Sequence, residues 1–203
     1  ENCDKPTFFM TFCALSSAKG MDIKMKKILI VVDMQNDFID GALGTKEAES
    51  IVDYVAFKIK NFDGQIFVTL DTHGGDYMET EEGKKLPVPH CIKMTHGWLL
   101  HEKVYQALAG KSYKLLEKKT FGAKKLVKQL REIGNGADTE MELVGLCTDI
   151  CVVSNALLLK AFFPNAVIRV DAAGCAGVTP RSHKAALETM KMCQIDVSED
   201  LTL

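Results

Sequence analysis

The residues with chemical capacity fall where short apolar runs end. "KILIVVD" (27–33) closes on Asp33, and "QIFVTLD" (65–71) closes on Asp71 with His73 two positions on. "YKLLEK" (113–118) ends in Lys118, and "MELVGL" (141–146) runs straight into Cys147 and Cys151 of "LVGLCTDICVV". Gathered at one rim, these side chains would supply an acid or base, an ammonium, a nucleophile and metal ligands. The two cysteines admit four readings: a metal clamp, a disulfide, a redox pair, or a pair of which only one sulfur matters. A zinc pair needs further ligands at suitable spacing, and Cys175 and Cys193 form no such pair. A redox pair of the Cys-x-x-Cys kind has one intervening residue fewer. A single nucleophile therefore leads. Cys151, at the start of a helix after a buried strand, is the better placed, because helix amides and a nearby ammonium lower a thiol pKa. Cys147 reads as a buried apolar neighbour.

Asp71 and His73 are spaced so that a carboxylate and an imidazole share one face at a strand end, and His90 follows 17 residues after His73. Oxygen and imidazole donors without thiolate suit zinc, manganese or iron, and the spacing does not choose among them. Cys91 adjoins His90, but neighbours along an extended backbone point opposite ways. His96, His101 and His183 are read as residues of loops or helix surfaces. Each candidate also has an ordinary reading: Asp33 as a strand-end turn residue, Lys118 as part of the basic surface stretch "KSYKLLEKKTFGAKK", and "DYMETEEG" as a solvated acidic loop.

The elements that must position these residues alternate regularly. The four runs above, with "AVIRVDA" (166–172) and a weak "QIDVS", read as strands, several of them apolar on both faces as buried parallel strands are. Between them, "AESIVDYVAFKIKNF", "HEKVYQALAG", "AKKLVKQLREIG", "DICVVSNALLLKAFF" and "RSHKAALETMKMC" carry helical spacing, with Gly110 and Gly134 at helix stops. Strict alternation implies an α/β fold: a three-layer, doubly wound, mostly parallel sheet of about six strands with helices on both faces. In such sheets ligands bind beyond the carboxyl ends of the strands, where the reactive residues fall. Residues 72–99 exceed an ordinary loop and are expected to be functional or partly helical. Residues 26–203 are read as one domain, and 1–25 as an extension outside it, with Met21 or Met25 as a natural start.

The chain has 203 residues, 47% of them apolar, with 25 basic against 27 acidic side chains and seven scattered cysteines. That is enough for one sizeable core. The charge balance gives no field to draw the chain to nucleic acid or an anionic membrane, so the expected partners are a small molecule and a second copy, the latter through apolar faces such as "ALLLKAFF". Odd, unpatterned cysteines fit a reducing, cytoplasmic setting. The short apolar run Phe8 to Leu15 cannot span a bilayer and lacks a basic leader.

"ILIVVDMQNDFIDGAL", "LDTH", "PHCIKMTHGW", "LEKKTFGA", "LVGLCTDICV" and "RVDAAGCAG", in this order from about Lys26 onward, resemble the isochorismatase-like cysteine hydrolases, most closely the nicotinamidase branch. The resemblance implies a triad of Asp33, Lys118 and Cys151. The aspartate takes the thiol proton, the lysine stabilises the charged pair, and the thiolate attacks a carboxamide carbon. Lys119 competes for the lysine role, and Lys118 is preferred because the family's lysine precedes an aromatic by three positions, here Phe121. The resemblance further implies an oxyanion hole from the backbone N–H groups of Cys147 and Cys151, with a cis peptide between Leu146 and Cys147. It implies a divalent metal, zinc foremost with manganese or iron as alternatives, held by Asp71, His73 and His90. Because some members replace a histidine by glutamate, Glu82 joins this set ahead of Asp76, Glu79 and Glu81. Phe38 matches an aromatic of the pocket, whereas the aromatic that commonly precedes the "HC" pair is missing from "LPVPHC".

Three functions follow in order. The first is hydrolysis of nicotinamide to nicotinate and ammonia through a Cys151 thioester. The second is hydrolysis of another small amide or carbamoyl compound by the same machinery. The third is a binding protein that keeps the fold without the chemistry.

Overall fold

The structure is a computed structural model that describes residues 25–134 and 136–198. The expected extension, residues 1–25, lies outside the described residues except for Met25. Six strands, β1 (Lys26–Val32), β2 (Gln65–Asp71), β3 (Tyr113–Lys118), β4 (Thr139–Leu146), β5 (Val167–Ala176) and β6 (Asp196–Val197), form one sheet in the order β3-β2-β1-β4-β5-β6. Every pairing is parallel. The doubly wound α/β sheet expected from the alternation is thus borne out. β5 runs four residues past its expected end, and the weak last strand is reduced to two residues.

The period of two decides what each strand buries. Ile28, Ile30 and Val32 of β1 join Phe67, Leu143 and Ile168 on one face, under α6 (Lys124–Ile133), α7 (Val153–Phe162) and α8 (Pro180–Met192). Leu29 and Val31 join Ile66 and Val68 on the other, under α1 (Asn36–Ile39), α2 (Lys46–Ser50), α3 (Val52–Asn61) and α5 (Glu102–Ala107). β1 is apolar on both faces because it is covered on both. Between β2 and β3 the long segment 72–99 holds a 3₁₀ turn (Tyr77–Glu79) and the short α4 (Glu81–Lys85), so it is in part helical.

Register brings the reactive ends together. Asp71 pairs with Lys118 across β2 and β3, and Val32, just before Asp33, is level with Thr69 on one side and Gly145 on the other. Gly145 has φ +118°, its absent Cβ would strike the Val32 carbonyl, and the β4–β5 register shifts beside it. A glycine is required here so that β4 can kink close against β1 just before Cys147.

The stretch "ALLLKAFF" differs from its expected exposure. Ala156 and Leu159 are buried, and Leu157 and Leu158 pack against the core. The α7 face is absorbed by the sheet and by α6 and α8, leaving Phe162 as its exposed large apolar residue. No helix among the described residues is long and apolar enough to cross a membrane.

Candidate active site

The rim of β3, β2, β1 and β4 gathers a continuous set of polar side chains in an otherwise apolar setting. Lys118 Nζ lies 2.7 Å from Asp33 Oδ2, 3.0 Å from Asp71 Oδ1 and 3.3 Å from Cys151 Sγ. Its neighbour Lys119, just past the end of β3, is exposed at the wall of the adjoining cavity, whereas Lys118 is the lysine buried among the carboxylates. Asp33 follows β1 in the left-handed region, with φ +46°. This conformation costs free energy for a residue other than glycine and is found where the surroundings over-determine it. Here Thr69 fixes it: the Thr69 hydroxyl donates to Asp33 Oδ1 at 2.7 Å. Asp33 Oδ2 lies 2.7 Å from the Lys118 ammonium, and a carboxylate oxygen can accept more than one partner. It therefore keeps an open lone pair for a proton.

Asp71 serves two groups at once. Its Oδ1 meets Lys118, while Oδ2 lies 2.9 Å from His73 Nε2 and 3.7 Å from His90 Nε2. Glu82 Oε1 lies 3.8 Å from both imidazole Nε2 atoms. One donor atom from each of Asp71, His73, Glu82 and His90 falls within 4.8 Å of the others, close enough to share one cation. Two imidazole nitrogens with two carboxylate oxygens make a donor set that zinc, manganese or iron accepts. His90 Nδ1 donates to the Val88 carbonyl at 2.8 Å, which fixes the tautomer and frees Nε2 as a ligand. Asp76, Glu79 and Glu81, the alternatives to Glu82, are exposed, and Cys91 is packed into the core. The 3₁₀ turn buries Tyr77 against both imidazoles, at ring separations of 4.8 and 5.0 Å, so "DYMETEEG" is more than a solvated loop.

Beside these groups opens a cavity of about 400 Å³, within the range of small-ligand sites. Phe38, Leu86, Phe121 and Ile150 give it apolar walls, while Cys147, Cys151, Asp71 and His90 line its floor. Cys147 is partly buried and lines this cavity, so it is less enclosed than its reading as a core neighbour implied. Cys151 sits in a π-helical turn, Thr148–Val152, ahead of α7. The peptide between Leu146 and Cys147 is cis.

Electrostatics at the floor run against one expectation. The Cys151 thiol is held well above its ordinary value, chiefly by burial and then by the Asp33 charge, with Lys118 opposing. Helix amides and one ammonium do not outweigh complete burial beside two carboxylates. Burial likewise raises the Asp33 carboxyl against the pull of Lys118. Burial would lower Lys118, but the charges of Asp33, Cys151 and Asp71 push its ammonium well above the usual lysine range. Asp71 is pushed up by burial and held down more strongly by hydrogen bonds with His73 and His90 and by Lys118, so it stays ionised. Burial, with Asp149 and Asp33 adding, takes the Cys147 thiol to about 12.

Several supporting residues have roles that their type and spacing do not reveal, even where they fall inside a quoted motif. Gln35 clasps the Asp71 backbone, Asn155 Nδ2 donates to the Cys151 carbonyl at 2.8 Å, and Asp37 Oδ2 accepts from the Cys91 amide at 2.7 Å. His183, expected on a surface, is buried on α8, and Thr148 shares a hydrogen bond with it. Its position follows the inward stripe of Ala186, Leu187 and Met190, a periodicity that could have revealed it. His96 is a loop residue, and His101 caps α5, as its surface reading implied.

Residues 27–199 match the isochorismatase domain. The chain is 28% identical over 188 residues to the nicotinamidase/pyrazinamidase of Mycobacterium tuberculosis, covering 84% of this chain and 97% of that one. The crystal structure of the nicotinamidase/pyrazinamidase of Bacillus subtilis superposes with a TM-score of 0.75 at 29% identity, over 86% of this chain and all of that one, its coverage being 100%. The pyrazinamidase of Pyrococcus horikoshii, solved in complex with zinc, shares the fold at a TM-score of 0.72 and 24% identity, over 86% and 99% of the two chains.

Proposed function

This chain belongs to the isochorismatase family, and from that premise we propose that it is a cysteine-dependent amidohydrolase converting nicotinamide and water to nicotinate and ammonia. The observation that carries the reading is the single ammonium of Lys118 in contact with Asp33, Asp71 and Cys151 at the floor of a cavity. The kinship to nicotinamidases of known sequence and structure supports the substrate.

The chemistry follows from the charges. At rest the thiol keeps its proton, and the raised Asp33 carboxylate is a stronger base than a solvated aspartate. Asp33 takes the proton, and the Lys118 ammonium stays to balance the thiolate. Cys151 Sγ attacks the carboxamide carbon. The carbonyl oxygen becomes an oxyanion, which the backbone N–H groups of Cys147 and Cys151 stabilise, donors of a kind that contribute about 3–4 kcal/mol each when pre-aimed. Asp33 returns its proton to the departing nitrogen, ammonia leaves, and a thioester remains. Water, deprotonated by Asp33, then attacks the thioester, and the thiolate leaves to give nicotinate.

Asp71, His73, Glu82 and His90 would hold the metal, and Phe38 would flank the ring. A bound cation supplies a Lewis-acid anchor for the pyridine nitrogen, which orients the carboxamide. Zinc, manganese and iron all suit this sulfur-free donor set, and zinc is placed first because the pyrazinamidase of Pyrococcus horikoshii was solved in complex with it. We further propose one catalytic domain over 26–203, preceded by an extension, with a cytoplasmic setting and self-association. Ammonia release from nicotinamide by wild type and by Cys151→Ala, each reconstituted with zinc, manganese or iron, tests the reading. Turnover by wild type alone is expected, and no release with any of the three ions overturns the substrate.

A further inference from the structure

The turn that carries both oxyanion donors is held from behind by a pair the reaction does not use. Thr148 lies between Cys147 and Cys151, is fully buried, and joins its Oγ1 to His183 Nδ1 at 2.8 Å. The next residue, Asp149, accepts the Val178 amide on both carboxylate oxygens, at 3.1 and 3.2 Å. Val178 leads directly into α8, whose first turn is locked by a capping box between Thr179 and Ser182. The His183 amide also donates to the Thr179 carbonyl at 2.9 Å, and Gly177 lies so close that a Cβ there would come within 2.9 Å of the His183 Cβ. The start of α8 is thus rigid, and the turn hangs on it through one hydroxyl–imidazole bond and one carboxylate–amide bond.

We infer that His183 is a positioning residue: through Thr148 it sets the orientation of the Cys147 and Cys151 N–H groups toward the substrate carbonyl. The inference deepens the amidohydrolase reading and rests on it. Oxyanion donors act through their aim, and a displacement of about 1 Å can cost on the order of a hundredfold in rate. A buried hydroxyl needs a partner, and without one Thr148 would turn to seek another and take the chain with it. Packing alone does not hold the imidazole on every side. His183, Ser50, Glu47, Cys175 and Lys184 line a separate cavity of about 210 Å³ behind the turn. A truncated His183 would therefore leave a hollow continuous with that cavity, which free imidazole can enter.

The holoenzyme and its His183→Ala, His183→Asn, Thr148→Val and Thr148→Ser variants are compared on nicotinamide and on p-nitrophenyl acetate, an ester needing the same thiol and donors but no pyridine nitrogen. His183→Ala and Thr148→Val should lower kcat roughly tenfold or more on both substrates, with KM, metal content and the Cys151 alkylation rate near wild type. His183→Asn and Thr148→Ser, which keep a partner at the same point, should recover most of kcat. Added imidazole should restore nicotinamide turnover by His183→Ala but not by Thr148→Val, the ester being left out of this arm because free imidazole cleaves it. Unchanged kcat in His183→Ala overturns the inference. So does a loss that neither asparagine nor imidazole relieves, or one matched by falling metal content and alkylation. Ester turnover without nicotinamide turnover by wild type sinks the substrate reading alone, whereas a wild type inert toward both removes this inference with it.

Discussion

Gln35 grips the backbone of Asp71 at both ends: its amide nitrogen donates to the Asp71 carbonyl at 2.9 Å, and its amide oxygen accepts the Asp71 N–H at 2.7 Å. The same nitrogen reaches the Trp98 carbonyl at 2.8 Å, tying the end of β2 to the segment that follows His90. Gln35 is fully buried and touches no reacting atom, yet it fixes where a carboxylate shared by lysine and imidazoles can point.

Replacing Gln35 by alanine should therefore act at a distance. Two buried backbone groups lose their partner, at about 1–3 kcal/mol each in stability, and outer supports of metal ligands typically govern affinity by about ten- to a hundredfold. Competition with a chelator should show weaker zinc binding in Gln35→Ala, alongside a lower urea midpoint. Unaltered affinity would mean Asp71 is held by other contacts.

Glu82 and His73 should not be equivalent. Glu82 is about a quarter exposed and 3.8 Å from each imidazole, whereas His73 is nearly closed to solvent and 2.9 Å from Asp71. Glu82→Gln should retain metal near one equivalent at saturating zinc with weakened affinity, and His73→Ala should lose it. Metal analysis after gel filtration separates the two, and equal loss in both would make Glu82 a full ligand.

The thiol offers a pH test with a defined sign. Burial and the Asp33 charge hold Cys151 well above its ordinary value, so the thiolate fraction in metal-free protein should grow only at higher pH than for an ordinary thiol. Iodoacetamide labelling followed by peptide mapping, with exposed Cys193 as the internal reference, should find Cys151 the slower at pH 7. Asp33→Asn removes a charge that opposes the thiolate, so labelling of Cys151 should accelerate while amidase turnover collapses. Faster labelling of Cys151 than Cys193 in unmodified protein would reverse the assigned electrostatics.

Away from the site, Lys58 bonds Glu142 at 2.7 Å and contacts Asp171, which also accepts from Tyr54 and Ser198. Burial raises the Asp171 carboxyl, but the Lys58 bond and charge outweigh it, and the folded value lies below the ordinary one. Such a group stabilises the fold above the unfolded value of about 3.9 and ceases to as pH falls through the folded value. Lys58→Met should cost about 2 kcal/mol at pH 7, and the gap from wild type should close in denaturation curves taken near pH 3 and below. A gap independent of pH would assign the loss to packing of the lysine stem.

Asp33, Asp71, Lys118 and the two cysteines stood out in the sequence because each lies at or just beyond the end of a strand-like run, several of those runs being apolar on both faces as covered parallel strands are. Chain order and strand ends then dictate a shared rim. Gln35, Thr69, Thr148 and Asn155 did not stand out, since their roles lie in contacts with residues 32 to 36 positions away in chain or in a local turn geometry that polarity does not encode. The direction of the Cys151 titration failed for a related reason. Spacing reveals a helix start and a neighbouring lysine, but the depth of the sulfur depends on how α7 seats on the sheet.

Lys118 belongs to β3, which is bonded along one side only, whereas Asp33 and Asp71 arise from strands flanked on both. A border strand detaches more readily than an interior one. Each such excursion would withdraw the Lys118 ammonium and leave the two buried carboxylates confronting each other. Heat or mild denaturant should consequently silence the enzyme while most of its far-ultraviolet dichroism persists, and a ligand seated against Lys118 would act as a hem for that border.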